Sequence, residues 1–316
     1  MMTILEPGLQ TTIQDLGRFG FQKYGITTSG AADPFSHRLA NLLAGNDETM
    51  PTMEITMFGP AVKFHKQTLI SICGADLSAT IDNQPVPLFR PVLVNEGKEL
   101  HFTVARKGMR AYLAVAGGFR IPKIMNSHST SLITKIGGVG GRTLEAGDEL
   151  LFNRPGALSR SIISALKPKL KGPFAAAGWS AWHSPYDKIT KTLYVRVVKG
   201  RHFGLFSPES RNSFFHSPYI VTSRSDRMGC RLQGEPLRLT ERQEIISEPV
   251  NDGTIQVSSD GNPIILLAER QTTGGYPKIA QVAAVDIPLI AQAKPGDRIR
   301  FVPVSHEEAQ KLFIRR

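Results

Sequence analysis

Along residues 68–88, TLISICGADLSATIDNQPVPL, apolar positions come in short runs interrupted by polar pairs, which reads as two strands and a hairpin turning at Asp82-Asn83. The stretch TIQVSSDGNPIILLAE (254–269) alternates at Ile255 and Val257, turns at Asp260-Gly261, and then stays apolar from Ile264 to Ala268. Alternation marks a strand with one wet face, whereas an unbroken run marks a strand covered on both. TLYVRVVKG (192–200), rich in β-branched and aromatic residues, adds another strand. Helical signals are few and short. In ADPFSHRLANLLAGN (32–46), Asp33 is the expected cap, Pro34 the first helical position and Gly45 the stop, with Phe35, Leu39, Leu42 and Leu43 on one face. SHEEAQKLF (305–313) offers a capping box, Ser305 with Glu308, and SPESRNSFF (207–215) and DIPLIAQA (286–293) predict one- or two-turn helices. Long helices never alternate regularly with strands, so a doubly wound fold is not expected and a mainly β chain with a few short helices is.

An internal echo divides the chain. LEAGDELLFN (144–153) and AKPGDRIRFVPV (293–304) share a small residue or proline, a Gly-Asp turn and a short strand ending in Phe152 or Phe301, as if each closed a barrel. Between the two units, prolines, glycines and scattered charges break all periodicity, so the expected organisation is an N-terminal β domain over 1–155, a linker over 156–190 and a C-terminal β domain over 191–316. A chain of 316 residues accommodates two such cores, and 41% hydrophobic with 21% charged residues is ordinary for a folded globular protein.

The net charge of +11 sits mostly in the second half: residues 1–157 hold 15 Lys and Arg against 13 Asp and Glu, and residues 158–316 hold 23 against 14. A basic surface is the footprint of nucleic-acid binding, yet no aromatic-rich RNP motif, helix-turn-helix pattern or long basic run accompanies it. A small phosphorylated or carboxylated ligand, an acidic protein partner or a merely solvated surface fits as well, and neither nucleic acid nor membrane is expected as a partner. No apolar window reaches the roughly 18–20 residues of a membrane span, and the N-terminal MMTILEPGLQ does not read as a targeting segment, so a cytoplasmic protein is expected. The cysteines, Cys73 and Cys230, are expected to be buried thiols. Eight histidines make no HxH or HExxH spacing, so no metal site is expected. The glycine-rich GGVGGR (137–142) lacks the GK[ST] ending of a P-loop and reads as a wide hairpin loop.

Three stretches gather polar groups without an evident packing reason. TTIQDLGRFGFQKYGITTSGAAD (11–33) carries Gln14, Asp15, Arg18 and Ser29 among four glycines, and capping of turns accounts for Asp15 as readily as function does. SRSDRMGCRLQG (223–234) carries Arg224, Arg227 and Arg231, whose planar forks suit carboxylate or phosphate, or a salt-bridged structural turn. AERQTTGGYPK (268–278) follows a buried strand with Glu269, Arg270, Gln271, Thr272, Thr273 and Lys278 around two glycines that permit close approach of a ligand.

These stretches, with MEITMFGPAVKF (53–64) and AYLAVAGGF (111–119), resemble in order and spacing the family variously called KipA, allophanate hydrolase subunit 2 or the C component of 5-oxoprolinase, over about Ile4 to Phe301. The resemblance implies two cyclophilin-like β-barrel domains. It implies a C component that opens 5-oxoproline to L-glutamate with ATP, as an amide-ring hydrolase acting with a KipI-like B component and a LamB/YcsF-like A component. An alternative it implies is the carboxyltransferase part of a biotin-dependent urea or amide carboxylase, with biotin carried by another chain. A third is a regulatory partner of a KipI-like kinase inhibitor. The sequence holds no AMKM-type biotinyl-lysine motif and no ATP-grasp or P-loop machinery, so biotin or ATP would come with a partner. On this resemblance Asp15 or Glu269 manages a proton. Arg224 or Arg227 takes a carboxylate or phosphate, and Lys278, Gln271 and Thr272 face the reacting amide, with Gln14, Arg18, Ser29, Arg270 and Thr273 as further binding groups. The 268–278 loop is expected to face 223–229 and the N-terminal TIQDLGR across one cleft.

Overall fold

Thr68–Asp76 forms a nine-residue strand whose alternate side chains serve two different interiors. Ile70 and Ile72 enter the main core of their unit, while Leu69 and Cys73 pack outward beneath helices. The computed structural model describes residues 1–181, 191–241 and 243–315. Two units emerge: Met1–Phe19 with Ser29–Asp187, and Gly20–Thr28 with Lys188–Arg316.

The first unit holds two six-stranded sheets, one in which Met2–Glu6 and Ala61–Phe64 are neighbours, the other in which Thr68–Asp76 and Lys107–Val115 are central. Their facing side chains, among them Met2, Ile4, Val62 and Phe64 from one and Ile13, Ile55, Ile70, Ile72 and Leu113 from the other, form one core. The outer face of the second sheet lies under the helices Pro34–Leu43 and Ala157–Leu166. Asp33 Oδ1 accepts from Ser36 N at 3.0 Å and Pro34 opens the first helix, as its sequence predicts. The buried face differs from the expected one: Ser36, His37, Ala40, Asn41 and Leu43 are buried, whereas Leu42 is 52% exposed. Polar neighbours make the difference, since Asn41 Nδ2 donates to Met50 O and His37 Nδ1 meets Thr52 Oγ1.

Residues 156–190 carry ordered elements in their described part. Besides the helix Ala157–Leu166, Phe174–Ala176 adds an edge strand by pairing with Val92–Val94. Leu166 and Ala177 cover Leu69 and Leu93, so this stretch packs with the first unit. Its breaks in periodicity reflect a short helix and a three-residue strand.

The second unit closes. Thr192–Lys199, Lys278–Val282, Thr254–Val257, Pro263–Leu266, Gly229–Gln233, Tyr219–Val221 and Arg298–Pro303 follow one another around a seven-stranded barrel filled by side chains such as Val195, Phe214, Ile255, Ile265, Ile279 and Phe301. A mainly β chain with short helices is therefore what forms. Barrel closure belongs to the second unit, and the first is built of two sheets.

The two Gly-Asp echoes match at the level of single hydrogen bonds. Gly147 and Gly296 have φ of +91° and +93°, and Asp148 Oδ2 and Asp297 Oδ2 each accept a backbone N–H at 2.8 Å, from Glu145 and Lys294. Ile4 and Val221 then donate N–H to Asp148 O and Asp297 O, both at 2.9 Å. Glycine is needed where the turn enters the left-handed region, and the aspartate holds it shut. No helix among the described residues is long and apolar enough to cross a membrane.

Candidate functional site

In the first unit Gln14, Asp15 and Arg18 turn inward and bond within their own unit. Asp15 Oδ1 accepts from Gly17 N, Ser127 Oγ and Ser129 Oγ, and Oδ2 accepts from His128 N at 2.6 Å. Burial alone raises its carboxyl, but the bonds from Ser129, His128, Gly17 and Ser127 outweigh that and hold it below the ordinary carboxylate range. Arg18 is fully buried and donates to Ile124 O and Ser129 O, and Gln14 Nε2 donates to Thr12 Oγ1 and Thr130 O. Ser29 is buried at φ +52°. Apart from Gly17 and Thr12, these partners lie over a hundred residues away, where sequence-local signals cannot reveal them.

GGVGGR is equally occupied. Gly137, Gly138 and Gly141 all have positive φ, and a Cβ on Gly137 or Gly141 would fall on the backbone of Ser129 or Lys135. Gly138 N donates to His128 O and Gly141 N to Gly137 O, so these N–H groups close the loop instead of facing a ligand.

In the second unit the two other stretches meet. Leu267 N donates to Met228 O and Glu269 N to Arg227 O, both at 2.9 Å, continuing the antiparallel pairing of Gly229–Gln233 with Pro263–Leu266. Across this pairing Arg227 Nε and Glu269 Oε1 form an ion pair at 3.2 Å with both side chains 3% exposed. Arg270 turns back, donating to Val250 O, Leu267 O and Thr28 Oγ1, while Thr28 donates to Ala268 O. Arg224 stays exposed, and Asp226 Oδ1 closes its turn by accepting from Met228 N and Gly229 N.

The rest of the loop lies over the barrel wall. Thr273–Gly274 pairs with Glu248–Pro249 as a two-stranded sheet, and Thr272 O accepts from Val250 N. Gln271 Nε2 donates to Gln256 Oε1, and Gln256 Nε2 to Tyr276 O. Lys278, 8% exposed, donates its ammonium to Glu248 Oε2 at 3.2 Å and to Gly274 O at 3.4 Å. Arg201 Nη1 reaches the other oxygen of Glu248 at 3.2 Å. That hydrogen bond with Lys278, ahead of the charges around it, holds the Glu248 carboxyl below the ordinary range. His202 Nδ1 accepts from Lys278 N at 3.1 Å, which puts its proton on Nε2, and burial followed by the Lys278 charge keeps the ring below its usual pKa. A cleft of about 340 Å³ opens here, lined by Arg201, Glu248, Asn251, Thr254, Lys278 and Gln281 among others.

Sequence reasoning missed Arg201, His202, Glu248, Asp252 and Thr28. Asp252 is the most unusual chemically. Its Oδ1 is shut off from water with no hydrogen-bond partner among the described residues. Burial pushes its carboxyl up to about 6, against the pull of Arg270 and Arg227. The unfolded chain therefore ionises this group from about pH 4 upward while the folded protein still holds the proton, so its contribution to stability is lost between about 3.8 and 6. Asp252→Asn is accordingly expected to melt roughly 2–8 °C above the parent at pH 8 and level with it at pH 4. Equal melting of the two proteins at pH 8 would show that the carboxyl is solvated.

The carboxyltransferase-domain family, subdomains A and B, matches residues 24–303. The C component of the 5-oxoprolinase of Haemophilus influenzae is 36% identical over 312 residues, 99% of this chain and 94% of that protein. That of Escherichia coli K12 is 37% identical over 311 residues, 98% of this chain and 94% of that protein. Among solved structures, the urea carboxylase of Kluyveromyces lactis shares the fold with a TM-score of 0.86 at 30% identity, covering 99% of this chain but only 28% of that one.

Proposed function

The chain belongs to the carboxyltransferase-domain family, subdomains A and B, and from that premise we propose that it is the C component of an ATP-dependent 5-oxoprolinase. With a KipI-like B and a LamB/YcsF-like A component, in the cytoplasm, it opens the ring amide of 5-oxoproline to L-glutamate. The ring C–N bond breaks, and water supplies a hydroxyl to the carbonyl carbon and a proton to the nitrogen. The observation that carries this reading is that two proteins named as C components of 5-oxoprolinase correspond to this chain over 94% of their own lengths.

An amide resists attack because negative charge must build on its oxygen, and fixed donors in a partly dry site lower that cost. The second unit supplies such donors in Lys278, whose ammonium is held by Glu248 and Gly274 O, and in Gln271 and Arg270 on the same loop. Glu269 and Arg227 are engaged with each other, which suits them to holding the loop's geometry more than to meeting substrate. ATP supplies the driving force for ring opening and is assigned to the partners, since the glycine-rich loop spends the N–H groups of Gly138 and Gly141 on the carbonyls of His128 and Gly137.

The likeness to a urea carboxylase favours a second reading, in which this chain receives a carboxyl group from a biotin borne elsewhere. The donor chemistry around Lys278 and Arg201 fits an anionic carboxyl group, and bound biotin would supply that group for transfer. The test mixes the purified chain with A and B components and ATP, and follows glutamate from 5-oxoproline beside carboxylation of urea with carboxybiotin. Glutamate formation dependent on all three chains is expected. Urea carboxylation alone would transfer the assignment to the second reading, and tight binding to B without either turnover would favour a regulatory role toward a KipI-like partner.

A further inference from the structure

We propose that the cleft bounded by Arg201, Glu248, Asn251, Thr254, Lys278 and Gln281 is a binding site for a small amide-bearing carboxylate, with Arg201 gripping the carboxylate at its rim. This deepens the 5-oxoprolinase reading and rests on it for the identity of the ligand. At about 340 Å³ the cleft is at the small end of ligand pockets and suits a compact molecule.

Charge selects the class. Lys278 and Arg201 both lean on the single carboxylate of Glu248, at 3.2 Å each, and His202 is neutral because its Nδ1 accepts a backbone N–H. One positive charge is thus left over for an anion. The two cations differ in freedom. Lys278 is 8% exposed and fixed, whereas the Arg201 side chain is 76% exposed and can swing from Glu248 to an incoming carboxylate, which its planar fork binds with two parallel bonds.

The backbone beneath Arg201 is clamped while its side chain is free. Gly200 N donates to Ile279 O at 2.8 Å and His202 N to Lys278 O at 3.1 Å. A Cβ on Gly200 would come within 2.5 Å of Lys278 O, so only glycine lets the chain approach the barrel strand this closely and hold Arg201 at the rim. Asn251, exposed in the cleft lining, offers amide donor and acceptor groups to a ligand amide. Thr254 and Gln281 are bonded to each other at 2.9 Å and shape the wall.

The test uses the full chain and three probes: 5-oxoproline, 2-pyrrolidinone, which keeps the lactam but lacks the carboxylate, and acetate. Binding by calorimetry is expected for 5-oxoproline, at least about tenfold weaker for 2-pyrrolidinone. Arg201→Ala should weaken 5-oxoproline by about tenfold or more and leave 2-pyrrolidinone unchanged, with Arg201→Lys in between. In the assembled three-component enzyme the same change should raise KM for 5-oxoproline while kcat stays within about threefold. Equal affinity for 5-oxoproline and 2-pyrrolidinone, no saturable binding of 5-oxoproline, or an Arg201→Ala chain that binds both as the parent does would overturn the proposal. Turnover by the complex with KM unmoved by Arg201→Ala would sink this cleft but leave the 5-oxoprolinase reading standing. Arg201-dependent binding of 5-oxoproline or acetate without turnover would do the reverse.

Discussion

Lys278→Met in the assembled enzyme is expected to lower 5-oxoproline turnover at least about 100-fold, roughly 3 kcal/mol of transition-state stabilisation, while the protein folds and binds its partners as before. Methionine keeps the unbranched stem and removes only the ammonium. The stem is almost wholly buried, so conserving its packing separates chemistry from stability. The lost contact with Glu248 costs little, because that carboxylate keeps Arg201 at 3.2 Å and some exposure to water. If Lys278 stabilises the charge that builds on the amide oxygen, kcat and kcat/KM fall together. A rise in KM with kcat intact would instead make it a ground-state binding group, and turnover within about threefold of the parent would remove it from the chemistry. Lys278→Arg is not expected to rescue, because a planar guanidinium does not reproduce the point charge that the ammonium places beside Glu248 and Gly274 O.

What could be read in the sequence was local. The Asp82-Asn83 turn has φ of +49° and +60°, the Ser305–Glu308 capping box forms both of its bonds, and the Asp260-Gly261 hairpin joins the strands it was expected to join. Each depends on atoms a few residues apart, which sequence order preserves. The meeting of 223–229 with 268–278 was legible from the family resemblance, and pairing across adjacent strands carries it out. Arg201, Glu248 and Asp252 were not legible. Arg201 follows Thr192–Lys199, which adjoins Lys278–Val282 in the barrel, while Glu248 arrives through the separate pairing of Glu248–Pro249 with Thr273–Gly274, and only these two long-range pairings together bring both to one cleft. Asp15 shows the converse limit. A carboxylate that caps a loop of its own unit and one that moves a substrate proton look alike until the donors Ser127, His128 and Ser129 are seen to fill its oxygens.

The Arg227–Glu269 pair separates structure from chemistry most sharply. Both side chains are 3% exposed, so removing either one leaves the other's buried charge without its ion-pair counterpart. Glu269→Gln and Arg227→Met should each cost about 3–5 kcal/mol of stability, measured by chemical denaturation of the full chain. The double replacement Arg227→Met with Glu269→Leu removes both charges together and should recover much of that loss, because desolvation of the ions opposes their attraction. Such coupling would identify the pair as the clamp that sets the geometry of the 268–278 loop, with any loss of turnover following from a displaced Lys278. Singles that each cost under about 1 kcal/mol while abolishing turnover would point the other way, to an open pair that exchanges its partner for substrate. The backbone favours the clamp: Glu269 N is fixed to Arg227 O and Leu267 N to Met228 O, so the ladder holds the two residues side by side where their charges meet.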